Sequence, residues 1–264
     1  MRTVREIEQA LWKLAPAYMK EDWDNIGLLC GHGDREVERV LVALDPFLST
    51  AQEAAEVGAQ LLLTHHPLIF FPAKSVTDRD PVGRTILFLV EHGICALNLH
   101  TNLDSAPGGV NDRLAEVLGL RDVRVLVPAG QDEQGRDYGL GRYGVTDRCS
   151  LSDFMARVKA NLGCGGLRYT DGGRPVEKVA VGGGSCGEFM TKALELGCDT
   201  FVTADLKYNQ FADARDLELN LIDAGHFPTE NPVCAVMADF LQQTFPDLTV
   251  FLSKKHSDVV QFQE

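Results

Sequence analysis

Basic residues are scarce in this chain: 25 lysines and arginines face 38 aspartates and glutamates, leaving a formal charge of -13. That deficit disfavours a sequence-independent grip on nucleic acid or on an anionic membrane, both of which need a positive face. A small basic site for a phosphate-bearing ligand stays open. No apolar run approaches a membrane span, and the opening Met1-Arg2-Thr3-Val4-Arg5-Glu6 has no stretch of signal-peptide type. Paired cysteines are missing too. Seven are scattered at Cys30, Cys95, Cys149, Cys164, Cys186, Cys198 and Cys234, with no C-x-x-C pair. A reducing cytoplasm is therefore expected, with cysteines as small buried apolar residues. What the chain does have is an ordinary globular composition, 45% hydrophobic and 24% charged over 264 residues. That length suits one large domain or two smaller ones.

Short apolar runs alternating with helical patterns predict an α/β protein. Val4, Ile7, Leu11 and Leu14 are spaced as one face of a first helix. Trp23-Asp24-Asn25-Ile26-Gly27 reads as a turn, Asp24 and Asn25 supplying turn chemistry, before a strand at Leu28 to Cys30. A strand over Val37 to Leu44, a helix from Thr50 stopped by Gly58, and a buried strand Leu61 to Thr64 make one strand-helix-strand unit. A helix over Val82 to His92 leads to a second buried strand, Ile94 to Leu99, and Asn111 is expected to cap a helix ending at Leu118. The Gly, Asp and Gln content of Ala129 to Tyr138 suits a boundary or an exposed loop.

The second half repeats the first. Val176 to Val181 matches Val37 to Val42, and at the same offset Ala193, Glu195, Gly197 and Thr203 fall on Ala54, Glu56, Gly58 and Thr64. Ala204 and Asp205 then correspond to His65 and His66. Aligning Leu97-Asn98-Leu99 with Leu219-Asn220-Leu221 sets Asp104 opposite His226. Two similar α/β lobes related by duplication are expected, 1–127 and 128–264, with the C-terminal segment packing back on the first.

Chemistry is expected where strands end, because α/β proteins keep their sites at the carboxyl ends of parallel strands. His65 and His66 stand there. Neighbouring strand-end side chains point to opposite faces, so this pair serves two different ions more readily than one. Asp104, His226 and Glu230 are metal-competent side chains at other strand ends, and nothing apolar requires them there. Five such nitrogen and oxygen donors suit two borderline divalent ions, zinc, iron, manganese or cobalt, if one carboxylate bridges.

Three ordered motifs give the chain a family likeness. Thr64-His65-His66-Pro67-Leu68-Ile69-Phe70, then His100-Thr101-Asn102-Leu103-Asp104 with Gly108-Gly109-Val110-Asn111-Asp112, then Asp223-Ala224-Gly225-His226 with Thr229-Glu230 resemble the Nif-three-like dinuclear metal-centre family, known also as GTP cyclohydrolase 1 type 2 homologues. The likeness covers nearly the whole chain. It implies a two-lobed α/β fold of Nif-three type, assembled as a homohexamer, with two divalent metal ions per subunit. Carried over, His66 and Asp104 would hold one metal, His65 and His226 the other, and Glu230 would bridge. Glu230 and His100 are the candidates for catalytic groups, His100 either substrate-facing or holding its strand end. The implied activity is hydrolysis of a nucleotide or related small molecule by a metal-activated bridging water. The alternative is a non-catalytic oligomer that binds or delivers metal. Where many relatives have a histidine, this chain has Asn209.

Two features look like sites of another kind. Gly182-Gly183-Gly184-Ser185-Cys186-Gly187 satisfies G-x-G-x-x-G after a strand. A dinucleotide fingerprint is disfavoured, since the matching turn Ala43-Leu44-Asp45-Pro46 shows that the turn exists for fold reasons; a looser role, amides holding a substrate phosphate, is retained. Cys186 is the one cysteine with a nucleophile's position, and a buried thiol is the expected reading. His32, His92 and His256 are expected at the surface.

Overall fold

Each expected strand-helix-strand unit is present, and each lies in its own sheet. The computed structural model describes residues 1–263, in two units: Met1–Leu103 with Val233–Ser257, and Asp104–Pro232 with the tail from Asp258 onward. The division falls at 103/104, earlier than 127, because the Arg121–Gln131 strand pairs with Asp137–Cys149 of the second unit.

In the first unit, five strands run in the order Thr249–Leu252, Arg39–Ala43, Leu61–Thr64, Cys95–Asn98, Gly27–Cys30. The first four are parallel and the last antiparallel. Leu61, Leu62 and Leu63 are fully buried, each contributing about 1.5–3 kcal/mol of burial. Helices Leu48–Glu56 and Pro81–Glu91 pack their Ala51, Ala54, Ile86 and Leu89 faces into the core with Leu41 and Leu62. The first helix, Val4–Leu14, starts on a Thr3 capping box with Glu6.

In the second unit the order is Arg121–Gln131, Asp137–Cys149, Val176–Val181, Thr200–Thr203, Asn220–Asp223, Arg168–Thr170, with the three strands from Val176 to Asp223 parallel. Val40 pairs with Leu61 and Val179 with Thr200, which is the duplicated register of the first two strands. The third strand is different. Thr64 pairs with Asn98 and Thr203 with Asp223, so Asn98 matches Asp223 and not Asn220. His226 therefore corresponds to Thr101, and the expected Asp104–His226 equivalence is out by three residues.

Other expectations are corrected. The stretch 129–138 is no boundary: its exposed loop is the tip of a long hairpin. Asn111 lies inside the Val110–Val117 helix, whose N-cap is Gly109, because its amide is committed elsewhere: it donates to Asp104 O at 3.0 Å and accepts from Gly183 N at 2.9 Å. His32 and His92 are exposed, but the His256 side chain is buried, 4% exposed, against Asp45. Among the described residues no helix is long and apolar enough to cross a membrane.

Candidate metal centre

In the first unit the Leu61–Thr64 strand delivers two histidines because its ladder bonding runs two residues past its end. His66 N donates to Leu44 O at 2.9 Å, and Pro67, having no N–H, stops the pairing. His65 is fully buried and its Nδ1 lies 2.8 Å from Leu99 O. His66 Nδ1 lies 2.7 Å from Asp45 Oδ1, and His100 Nδ1 2.7 Å from Asp24 Oδ1. Carbonyl and carboxylate oxygens only accept, so each Nδ1 carries the proton and each Nε2 the lone pair. The three rings are 5.0–5.7 Å apart, and each supplies one nitrogen to a set within 4.8 Å of one another. Carboxylate-anchored imidazoles of this kind are the usual supports of metal sites.

Asp24 is not turn chemistry. It is buried and accepts from His100, from Thr101 N at 3.0 Å and Thr101 Oγ1 at 2.5 Å, and from Asn25 N at 2.8 Å. Burial opposes its ionisation, but the bonds from His100 and Thr101 outweigh it and lower the carboxyl pKa to about 2. Asp45 is held well below the carboxylate range in the same way, burial being overcome by His256 and His66.

The second unit carries Asp104, His226 and Glu230. Gly225, with φ 87°, turns the chain out of the Asn220–Asp223 strand into the short helix His226–Glu230. The i, i+4 spacing sets His226 and Glu230 on one face, Nε2 to Oε2 3.0 Å. His226 Nδ1 lies 2.6 Å from Asp205 Oδ2, and Asp205 sits at φ 55°, a conformation that costs a non-glycine residue energy. Burial lowers the His226 pKa, yet Asp205 and Glu230 raise it to about 11. Two carboxylates around one imidazole thus make a place that demands positive charge. Carboxylate oxygens of Asp104 and Glu230 also come within 4.8 Å of each other. Arg142, 2% exposed, braces the segment after Asp104: it pairs with Asp112 at 2.7 Å and donates to the carbonyls of Ser105 and Ala106.

The glycine loop packs into this group: Gly183 N donates to Asn111 Oδ1 and Gly184 N to Thr229 Oγ1 at 3.0 Å, so these two amides are committed within the protein. Gly184, at φ 65°, has to be glycine: a Cβ there would overlap Glu230 Oε1 and lie 3.0 Å from His226 Nε2. Cys186 is partly buried, and desolvation pushes its thiol pKa well up, away from the thiolate that a nucleophile needs.

Of the residues singled out in the sequence, the structure brings His65, His66 and His100 together in the first unit and Asp104, His226 and Glu230 in the second; sequence reasoning missed the anchoring acids Asp24, Asp45 and Asp205. Their signal was present, since Asp45 and Asp205 each follow a buried parallel strand.

A family model described as Duf34/NIF3 (NGG1p interacting factor 3) matches residues 2–259. The chain belongs to the Duf34/NIF3 family. Two relatives named GTP cyclohydrolase 1 type 2 homolog, from Clostridium perfringens and Streptomyces coelicolor, are 32% and 38% identical, over 98% of this chain and 99% and 93% of their own. A crystal structure of a Bacillus cereus protein related to NIF3 superposes with a TM-score of 0.93 at 25% identity, covering 100% of this chain and 99% of the other. The NIF3 fold is thereby shown, and the histidine and carboxylate clusters mark it as a chain that could bind metal.

Proposed function

We propose that this NIF3-family chain is a metal-dependent hydrolase in which His65, His66, Asp104, His226 and Glu230 hold two divalent metal ions. The observation that carries this reading is the common wiring of the imidazoles. His65, His66 and His100 each bind a carbonyl or carboxylate through Nδ1, which presents Nε2 as the donor that zinc, iron, manganese or cobalt takes. His226, held by Asp205 in the same way, offers its Nε2 once a metal ion displaces the proton shared with Glu230. Bound ions of this kind supply Lewis acidity and lower the pKa of water. The chain's own part is to fix the donors. Asp45 and Asp205 orient His66 and His226, the Gly183-Gly184 turn lets Glu230 approach, and Glu230, with its carboxylate beside His226, is placed to hold a proton moved during hydrolysis.

A nucleotide-like substrate is supported by two neighbouring features of the first unit. Trp23 and Phe70, 60% and 43% exposed, each stand 6.1 Å from the His100 ring, an aromatic shelf on which a planar base can stack. A cavity of about 460 Å³ lined by Asp45, Phe47, His66, Leu68 and Val82 has Arg84 as its cation, which suits a phosphate. The names of the relatives point to the same substrate class.

The test is elemental analysis of the purified protein followed by a nucleotide and phosphoester panel. His66→Ala and Glu230→Ala are expected to lose metal and turnover together. Turnover retained by metal-free protein would sink the reading, and metal without any turnover would leave a metal-binding or delivery protein.

A further inference from the structure

The tail that follows the Thr249–Leu252 strand is fastened to the first unit by one buried carboxylate. Glu53 accepts from Ser253 Oγ, from Lys254 N at 2.8 Å and from Lys255 N at 3.3 Å, while Ser253 N continues the ladder to Val42 O at 2.8 Å. His256 N then donates to Ser253 Oγ at 3.1 Å, closing a turn that drives the His256 ring inward. The ring lies edge-on to Phe47, centroids 5.5 Å apart, with Nε2 2.9 Å from Asp45 Oδ2. The other oxygen of the same carboxylate holds His66 Nδ1 at 2.7 Å. His256 Nε2 is also 3.2 Å from Asp45 N. It cannot donate to the carboxylate and accept from the amide at once, and the shorter, charge-assisted contact decides for donation.

The result is a chain of bonds from the tail to a candidate ligand: His256 to Asp45 to His66. We propose that His256 is a positioning residue of the metal centre, holding the Asp45 carboxylate so that its second oxygen fixes the tautomer and ring plane of His66. This rests on the metal-centre reading. The physical reason is torsional. A carboxylate bonded on one side only turns easily about its last bond, and a ligand imidazole is only as well aimed as the group behind it. No ligand pattern would find His256, since it stands among Lys254, Lys255 and Ser257 in a charged tail.

The experiment is a Co²⁺ titration of the full chain, followed by its visible ligand-field absorption, with thermal unfolding as control. His256→Phe keeps the ring volume and removes the donor; His256→Gln keeps a donor of similar reach. Expected are a roughly 10- to 100-fold weaker Co²⁺ affinity and an altered spectrum for His256→Phe, near wild-type values for His256→Gln, and little additional loss when His256→Phe is combined with Asp45→Asn, since both act on one path. Wild-type affinity and spectrum in His256→Phe would overturn the proposal. So would equal losses in the Phe and Gln variants, which would reduce His256 to packing. Wild-type protein that takes up no Co²⁺ would overturn the metal-centre reading itself, and this inference with it, in the first titration.

Discussion

The two units reach the same chemical pairing from different positions. In the first, the Arg39–Ala43 strand leads to Asp45 and the Leu61–Thr64 strand to His66, and these two side chains bond at 2.7 Å. The duplicated positions in the second are Gly184 and Asp205. There the acid has moved to the middle strand, its imidazole is His226 after the third strand, and the first position has lost its side chain altogether. The carboxylate-imidazole contact is retained at 2.6 Å although both partners have changed place. What duplication preserves is the backbone crossing; the side-chain pair is rebuilt around whichever strand end carries the histidine.

The comparison breaks most sharply if the second unit is given the first unit's residue. Gly184→Asp adds a Cβ that meets Glu230 and His226 at a left-handed φ, and is expected to cost about 3 kcal/mol or more in urea unfolding and to lose metal. Next come the two anchoring acids. Asp45 is the better buried, its side chain 18% exposed against 52% for Asp205. Asp45→Asn should weaken Co²⁺ toward the upper end of a roughly 10- to 100-fold range, and Asp205→Asn toward the lower; equal effects would mean that burial does not set the strength of the anchor. Asp24→Asn is expected to cost about 2 kcal/mol at neutral pH, from a carboxyl pKa lowered from 3.8 to about 2. The sign follows from a depressed folded value: this stability is present above pH 4 and lost as pH falls toward 2, so the wild-type advantage over Asp24→Asn should vanish in acid.

The last effect is a slope in pH. His226 in chelated protein has a pKa raised to about 11 from 6.5, so its contribution is complete below pH 6.5 and is lost as pH rises toward 11. The unfolding temperature of chelated protein should therefore fall from pH 7 to 10. Glu230→Gln should flatten that fall, and an unchanged slope would show that Glu230 does not hold the imidazolium.

Where apolar periodicity and stop signals agree, the fold is legible in the sequence: Leu61 to Thr64 begins and ends in the structure where Gly58 and His65 say it should. The Arg121–Gln131 hairpin is not, because register shifts at Arg121/Arg124 and Pro128/Gly130 erase a two-residue period, and its exposed face carries the polar residues of a loop. His226–Glu230 is too short to show any helical period. At the candidate site the ligands are legible because no apolar core explains a histidine at a buried strand end. Asp24, Asp45 and Asp205 are hidden because aspartate in a turn already has a local reason to be there. His256 is hidden because its neighbours are charged, and only the Glu53 clasp turns it inward.

The first sheet also sets an order of events during synthesis. Its Thr249–Leu252 strand, which covers the edge of Arg39–Ala43, leaves the ribosome after every residue of the Asp104–Pro232 unit. The later-encoded unit can close first, while the earlier one waits with an unpaired apolar edge, the kind of surface on which chains aggregate. A released chain truncated at Pro232 should accordingly hold a protease-resistant second unit beside a first unit still open to cleavage and to chaperones.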